Sequence, residues 1–366
     1  MSSSGDIAFI NRNRPVLSRI ADWLRASDTD GDAIPDRTDM PYGYYDSVAN
    51  GVRHTYAIAS FYAAYGELAE MEAATGRAMA AEGYRADATR LRDAFNRSVQ
   101  EGGFWRDDQA YPVAWFTDDG KEVAGMETFG VLAALRSGLI SPGPRRDALA
   151  DYLHDHLAEF VDGAPFGERL MLGGYAPELR RDVIPPVPVW MLDASAPWIA
   201  GLDVPVRSRL GQREDAVFIL ERYLAAYDAA TFPLPEFAAN DRARYGPGRT
   251  PDAGRSWDNA AWFAIVYGGH YGFAPTPGAL RIAPAPLRTI SNDTVNSYRF
   301  QKARLTLTLG ANSYTVRSDT PCALVLSPMG ADTAISVDGG PPVPLAAIQA
   351  QAGRTYIVRS LTDKQR

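Results

Sequence analysis

Apolar residues recur at helical spacing along this chain as far as about residue 273, and two kinds of segment take turns. Segments 13–26, 79–98, 144–160 and 212–230 carry one apolar stripe each, for example Tyr84, Ala88, Leu91 and Phe95 in the second. Segments 54–76, 126–139, 195–210 and 257–272 are apolar or small almost all round, which predicts burial on most sides. This alternation predicts a ring of inner helices jacketed by outer ones, a mainly α fold of the (α/α) toroid kind. An ordinary bundle would be joined by short connections. Here the loops entering the inner helices, 27–53, 99–125, 161–194 and 231–256, are long and rich in tryptophan, tyrosine and acids. Loops of that length are usually functional, so one rim is expected to carry the chemistry.

After about Gly272 the period changes to that of strands, in ALRIAPAPL, ARLTLTLGANSYTVRS, CALVLSP and RTYIVRS, punctuated by Gly and Pro turns. A small antiparallel β-sandwich is expected, dividing the chain into residues 1–275 and 276–366. It holds few acids and aromatics, which favours a structural appendage over a binding module.

Composition narrows the function classes. A net charge of −7 without a long basic run argues against nucleic acid. No apolar run is long enough for a membrane span, and the first residues, MSSSGDIAFINRNRP, lack the apolar stretch of a signal peptide. The single cysteine, Cys322, falls in a strand-like segment as a core residue. The four histidines show no metal-ligand spacing.

The first long loop contains six aspartates before Val48. Asp28, Asp30, Asp32, Asp36 and Asp39 fall at positions 1, 3, 5, 9 and 12 of a calcium loop of the EF-hand kind, with the Ile34 carbonyl at position 7. Ala33 stands where that loop wants glycine, Asp39 replaces the usual glutamate, and helical flanks are missing. Calcium is therefore weighed against a metal-free aspartate-rich turn, and no other cofactor is required. Further on, Tyr44-Tyr45-Asp46-Ser47 sets one carboxylate among aromatic rings before a helix, where partial burial can raise its pKa into the range of an acid catalyst.

The series D-x-D-G-D-x-x-P-D, YDS and an apolar inner helix resembles the six-hairpin glycosidase clan, which includes alpha-L-rhamnosidases, trehalases, processing alpha-glucosidases and bile-acid-type beta-glucosidases. The stretch Gly254 to Phe263 (GRSWDNAAWF), then HYGF and PGALRIAPAPL leading into a β-domain, is similar to the end of that toroid. Such toroids have six hairpins; this sequence supplies four. The inner helices at the break would then lack cover. Self-association, or pairing with a missing N-terminal region, is expected, with a cleft open to water.

The resemblance implies a glycoside hydrolase with a carbohydrate substrate, using two carboxyl groups, with inversion expected; a noncatalytic carbohydrate-binding remnant and a phosphorylase are the other readings. It points to Asp46 as general acid, with a helix N-cap as that residue's bland role. Glu236 is the candidate base, with Asp241 and Asp258 as rivals and Glu127 in reserve. Tyr45, Trp105, Trp115, Trp190, Trp198 and Trp257 are candidate stacking rings, with Arg53 and Asp193 for hydroxyls. Trp23 and Trp262 are expected in the core.

Overall fold

The computed structural model describes residues 6–36, 48, 53–117, 119–161, 168–179, 193–229, 238–239, 256–276, 278–290, 293–330 and 332–361. Its helical part runs α1 (Ile7–Ala26), α2 (Thr55–Ala74), α3 (Ala78–Phe95), α4 (Thr128–Ser137), α5 (Pro144–Asp155), α6 (Leu157–Val161), α7 (Ala200–Leu210), α8 (Arg213–Ala229) and α9 (Ser256–Phe263). The last continues as a π-helix over Ala264–His270. Asp6 caps α1 by accepting from the Phe9 N–H at 2.8 Å, and α4 and α7 stop at Gly138 and Gly211, both at positive φ.

The predicted alternation is the observed one. α2 packs on α4, α4 on α7, and α7 on α9 and its π-helical continuation, while α1 and α3 cover α2 and α8 covers α7. Among the described residues no comparable packing joins α9 back to α2, so four inner helices make an arc. Contact within it is close because small residues face each other: a Cβ on Gly201 would lie 2.9 Å from the Cα of Ala261. At the two ends of the arc apolar groups meet solvent. Val16, Ile20 and Trp23 on α1 are 40–47% exposed and Phe263 on α9 is 62% exposed. Trp23 is thus not the core residue expected; its ring touches only the edge of Phe61, at 6.2 Å between centroids, among the aromatic pairs described.

Two elements depart from their predicted form. Segment 195–210 begins as a strand, Ala194–Ala196, and a 3-10 turn, Pro197–Ile199, before α7 starts. Segment 144–160 is broken at His156 into α5 and α6.

The C-terminal part is a sandwich of two sheets. One has the order β12 (Ala334–Val337), β14 (Thr355–Leu361), β10 (Ser313–Ser318), β9 (Ala303–Leu309), β8 (Thr294–Phe300). The other runs β13 (Ala346–Ala350), β11 (Cys322–Leu326), β7 (Leu280–Ile282), β6 (Phe273–Pro275). Alternate residues of β9 and β10, such as Leu305, Leu307 and Val316, fill the shared core with Cys322. The pairing is antiparallel apart from β7 with β11, which is parallel. β6 enters the sandwich at Phe273, slightly before the boundary expected at 276. The last inner helix is bonded to the chain entering this domain: Leu287 N–H donates to His270 Nδ1 at 3.0 Å and Ala285 N–H to the Gly269 carbonyl at 3.2 Å.

Candidate active site

The inner helices α2, α4 and α7 begin at one rim, and backbone pairing between the loops there fixes where each begins. Phe116 N–H donates to the Arg53 carbonyl and Thr55 N–H to Ala114, each at 2.9 Å. Trp115 and Phe116 (β1) then pair with Glu122 and Val123 (β2). Thr128 N–H donates to Leu170 at 2.9 Å, and Leu170 N–H to Ala194 at 3.0 Å. Glu168–Arg169 (β3), Ala194–Ala196 (β4) and Ala238–Ala239 (β5) form a three-stranded sheet. Members of all four long loops are thereby held to their neighbours over a core of Val48, Trp115, Leu132, Leu170, Met171 and Ile199. The caps belong to this frame. His54 Nδ1 accepts from the Tyr56 N–H at 3.2 Å, and burial lowers its pKa to about 3, so the ring is neutral. Glu127, the reserve acid, caps α4 through Gly130 N–H at 2.9 Å and is buried.

Asp46, Tyr45, Asp39, Trp190, Glu236 and Asp241 lie outside the described residues. Trp257 and Asp258 sit in the first turn of α9, with side chains outside those described. Trp105 and Trp115 are corrections. Both are at most 1% exposed, because they plug the loop junctions: Trp115 stacks on His54 at 5.4 Å and Trp105 lies under the Arg145 guanidinium at 5.4 Å. Neither offers a ring face to a sugar. Arg53 joins the first two loops, donating to the Gly102 carbonyl at 2.8 Å and pairing with Asp32 at 3.2 Å. Asp193 pairs with Arg169 at 2.7 Å.

Trp198 is half-buried and meets the edge of Phe129 at 4.6 Å; Phe129 in turn stacks on Tyr56 at 4.7 Å. Tyr56 and Phe129 are each the second residue of their inner helix, and Trp198 stands in the turn before α7. A half-buried aromatic file therefore crosses the N-terminal ends of three inner helices. Tyr56 and Phe129 were not among the predicted site residues. The signal was available: each is the second residue of an inner helix, the position Trp257 holds in α9.

In the acidic loop, carboxylate oxygens of Asp28, Asp30 and Asp32 lie within 4.8 Å of one another. Asp28 accepts from Gly31 N–H at 2.8 Å and Ala33 N–H at 3.0 Å. Ala33 takes φ +75°, the left-handed conformation for which calcium loops use glycine. Burial raises the Asp32 carboxyl, with Asp30 and Asp28 adding to the shift and Arg53 opposing it. Asp36 departs from the expected ligand set: both its oxygens accept from the Thr29 hydroxyl, at 2.8 and 2.9 Å, and it also holds the Thr29 N–H. Ile34 is fully buried.

Beneath the rim lies a charged cluster the sequence reading did not single out. Arg207 of α7 is fully buried and donates to Asp203 at 2.8 Å, to Asp215 of α8 at 3.1 Å and to the Leu153 carbonyl at 2.9 Å. Exposed His154 binds Asp215 at 2.8 Å, which raises the imidazole pKa. Glu168 of β3 is 1% exposed, and no donor among the described residues reaches either of its oxygens. Its neighbour at hydrogen-bonding range is a second carboxyl, Asp203. Two carboxyls can bond only if a proton lies between them. Burial first, and Asp203 next, hold Glu168 well above the ordinary carboxyl range.

No family model and no curated protein sequence matches this chain. Solved structures do. The chain is similar to a structure described as a sialidase, with TM-score 0.64 and 12% identity over 97% of this chain and 31% of that one. It is also similar to the rhamnosidase of Bacillus sp. GL1, with TM-score 0.56 and 12% identity over 87% of this chain and 30% of that one. With the alpha-L-rhamnosidase of Aspergillus terreus the TM-score is 0.51 and the identity 11%, over 96% of this chain and 38% of that one. The chain thus spans about a third of the length of these structures. At such identities the likeness is one of fold, and that fold is the helical toroid followed by a β-sandwich which rhamnosidases share.

Proposed function

We propose that the protein is a glycoside hydrolase whose cleft lies on the loop-bearing rim of the helical arc. The observation that favours this most is the half-buried file Tyr56–Phe129–Trp198 across three inner helix ends, since pyranose C–H faces pack on such rings. Two carboxyl groups do the chemistry, Asp46 protonating the leaving oxygen and Glu236 activating water. For an inverting reaction these carboxyls stand roughly 6.5–9.5 Å apart, against about 5 Å for a retaining one. The test is a screen of nitrophenyl glycosides and oligosaccharides, rhamnosides included, with the anomer of the first product read by NMR. Inverted product from a monomer supports the proposal.

The second reading, a noncatalytic carbohydrate-binding protein, is favoured by the apolar groups exposed at both ends of the arc, Val16, Ile20 and Trp23 at one and Phe263 at the other. It predicts a self-associating chain in analytical ultracentrifugation, sugar binding and no turnover.

The loop from Asp28 binds one Ca²⁺ through Asp28, Asp30 and Asp32, three carboxylates whose mutual repulsion a cation would relieve. Chelator is expected to lower the thermal midpoint and calcium to restore it, whereas magnesium, which demands a smaller octahedral site, should not. A midpoint indifferent to both ions removes the assignment.

A further inference from the structure

A half-open cavity of about 200 Å³ lies on the jacket side of the arc, between α1, α2, α3 and the acidic loop. Leu24, Tyr65, Asp87 and Leu91 form its deep wall, all buried, and the more exposed Arg25 and Arg90 flank it. Tyr65 stands ten residues into α2 from Thr55, about 15 Å below the rim at 1.5 Å per residue, so the cavity is separate from the proposed cleft.

Its polar groups are unequally engaged. Asp87 is saturated, with Arg25 on one oxygen at 2.7 and 2.9 Å and Arg90 on the other. Arg25 is also engaged at all three nitrogens, since Nη1 donates to Asp22 at 3.1 Å. Tyr65 is different. The residue is 6% exposed, and its hydroxyl has no hydrogen-bond partner among the described residues. Tyr65 lines the cavity together with Asp87, Arg25, Arg90 and Asp28, its polar residues. Burial pushes the phenol up to about 12, which leaves it protonated and able to donate as well as accept. Facing a half-open cavity, this hydroxyl is left to bond water or a ligand. Arg90 adds donors beyond the one given to Asp87, and Asp28 keeps an acceptor edge.

We infer that this cavity is a second binding site, for a neutral polyhydroxyl ligand of single-pyranose size. Two arginines and two aspartates balance, so the lining favours neither anion nor cation. Hydroxyl groups can accept from Tyr65 and Arg90 and donate to Asp28 at once. Leu24, Phe61 and Leu91 supply apolar wall for the C–H face of a ring. The inference does not rest on turnover at the rim.

The test is saturation-transfer NMR and calorimetry on the full chain with methyl α-D-glucopyranoside, methyl α-L-rhamnopyranoside and glycerol as probes, inorganic phosphate serving as competitor. One pyranoside is expected to bind in the millimolar range. Tyr65→Phe and Arg90→Ala should each weaken it about 3- to 10-fold, the worth of one hydrogen bond, with any glycosidase turnover unchanged and, for Tyr65→Phe, the melting midpoint unchanged as well. Tyr65→Phe removes no protein contact, so it folds as the parent does. Absence of binding at tens of millimolar, binding indifferent to both variants, or displacement by phosphate would each overturn the inference. Loss of turnover in an Asp46→Asn variant that still binds the probe would leave it standing, which separates it from the hydrolase proposal.

Discussion

Asp46→Asn is expected to lower turnover of an unactivated glycoside by about 10²–10⁴-fold, the usual worth of a general acid. Asparagine keeps the shape of the side chain but has no acidic proton to give the leaving oxygen. The loss should shrink on nitrophenyl glycosides, whose leaving group departs as a stable anion and needs little protonation. Glu236→Gln, by contrast, should depress both kinds of substrate alike, since a base is needed to activate water whatever departs. The rival role for Asp46, an N-cap, would show itself as lost stability of about 1 kcal/mol on removal of the capping oxygen. That role is already filled at α2, where His54 Nδ1 takes the Tyr56 N–H. An Asp46→Asn chain with parental kinetics on the unactivated substrate would remove Asp46 from the mechanism.

The helical alternation was legible because an inner helix needs apolar or small residues on nearly every side, and α2 and α4 show this without reference to any partner. The rim was not legible. Its strands β3 and β5 are two residues long, and each exists only through pairing with a segment distant in sequence. Trp105 and Trp115 misled for the same reason. An aromatic ring in a long loop looks available to a ligand until the loops are seen to close over it. Glu168 and Asp203 carry no sequence signal either. An acid in a loop and an acid in a first helical turn are ordinary surface residues until packing removes their water. In the acidic loop Asp28, Asp30 and Asp32 come together. Asp36 was misplaced because nothing in the spacing announces that Thr29 would take both its oxygens.

Arg207→Met is expected to destabilise the fold by about 3–5 kcal/mol, the cost of leaving buried charge without its partner. The arginine sits between Asp203 and Asp215 with no exposed surface, and it reaches across to α5 through the Leu153 carbonyl. Methionine fills the space but leaves two carboxylates facing each other and a third buried carboxyl, Glu168, beside them. Pairing the change with Asp203→Asn should recover part of the loss, and a double-mutant cycle on unfolding free energies measures how much. Glu168→Gln is expected to act in the opposite direction at neutral pH. The folded pKa of Glu168 is raised, so the unfolded chain releases this proton first as pH rises while the folded chain retains it. Stability therefore falls with rising pH, by about 1.4 kcal/mol per pH unit for one proton, from the ordinary carboxyl value up to the folded one. Below that window parent and Glu168→Gln should differ little. Above it the variant, which has no proton to lose, should be the more stable, and its unfolding midpoint should depend less on pH. If the two midpoints run parallel from pH 4 to pH 8, Glu168 is ionised in the fold and the shared proton with Asp203 does not exist.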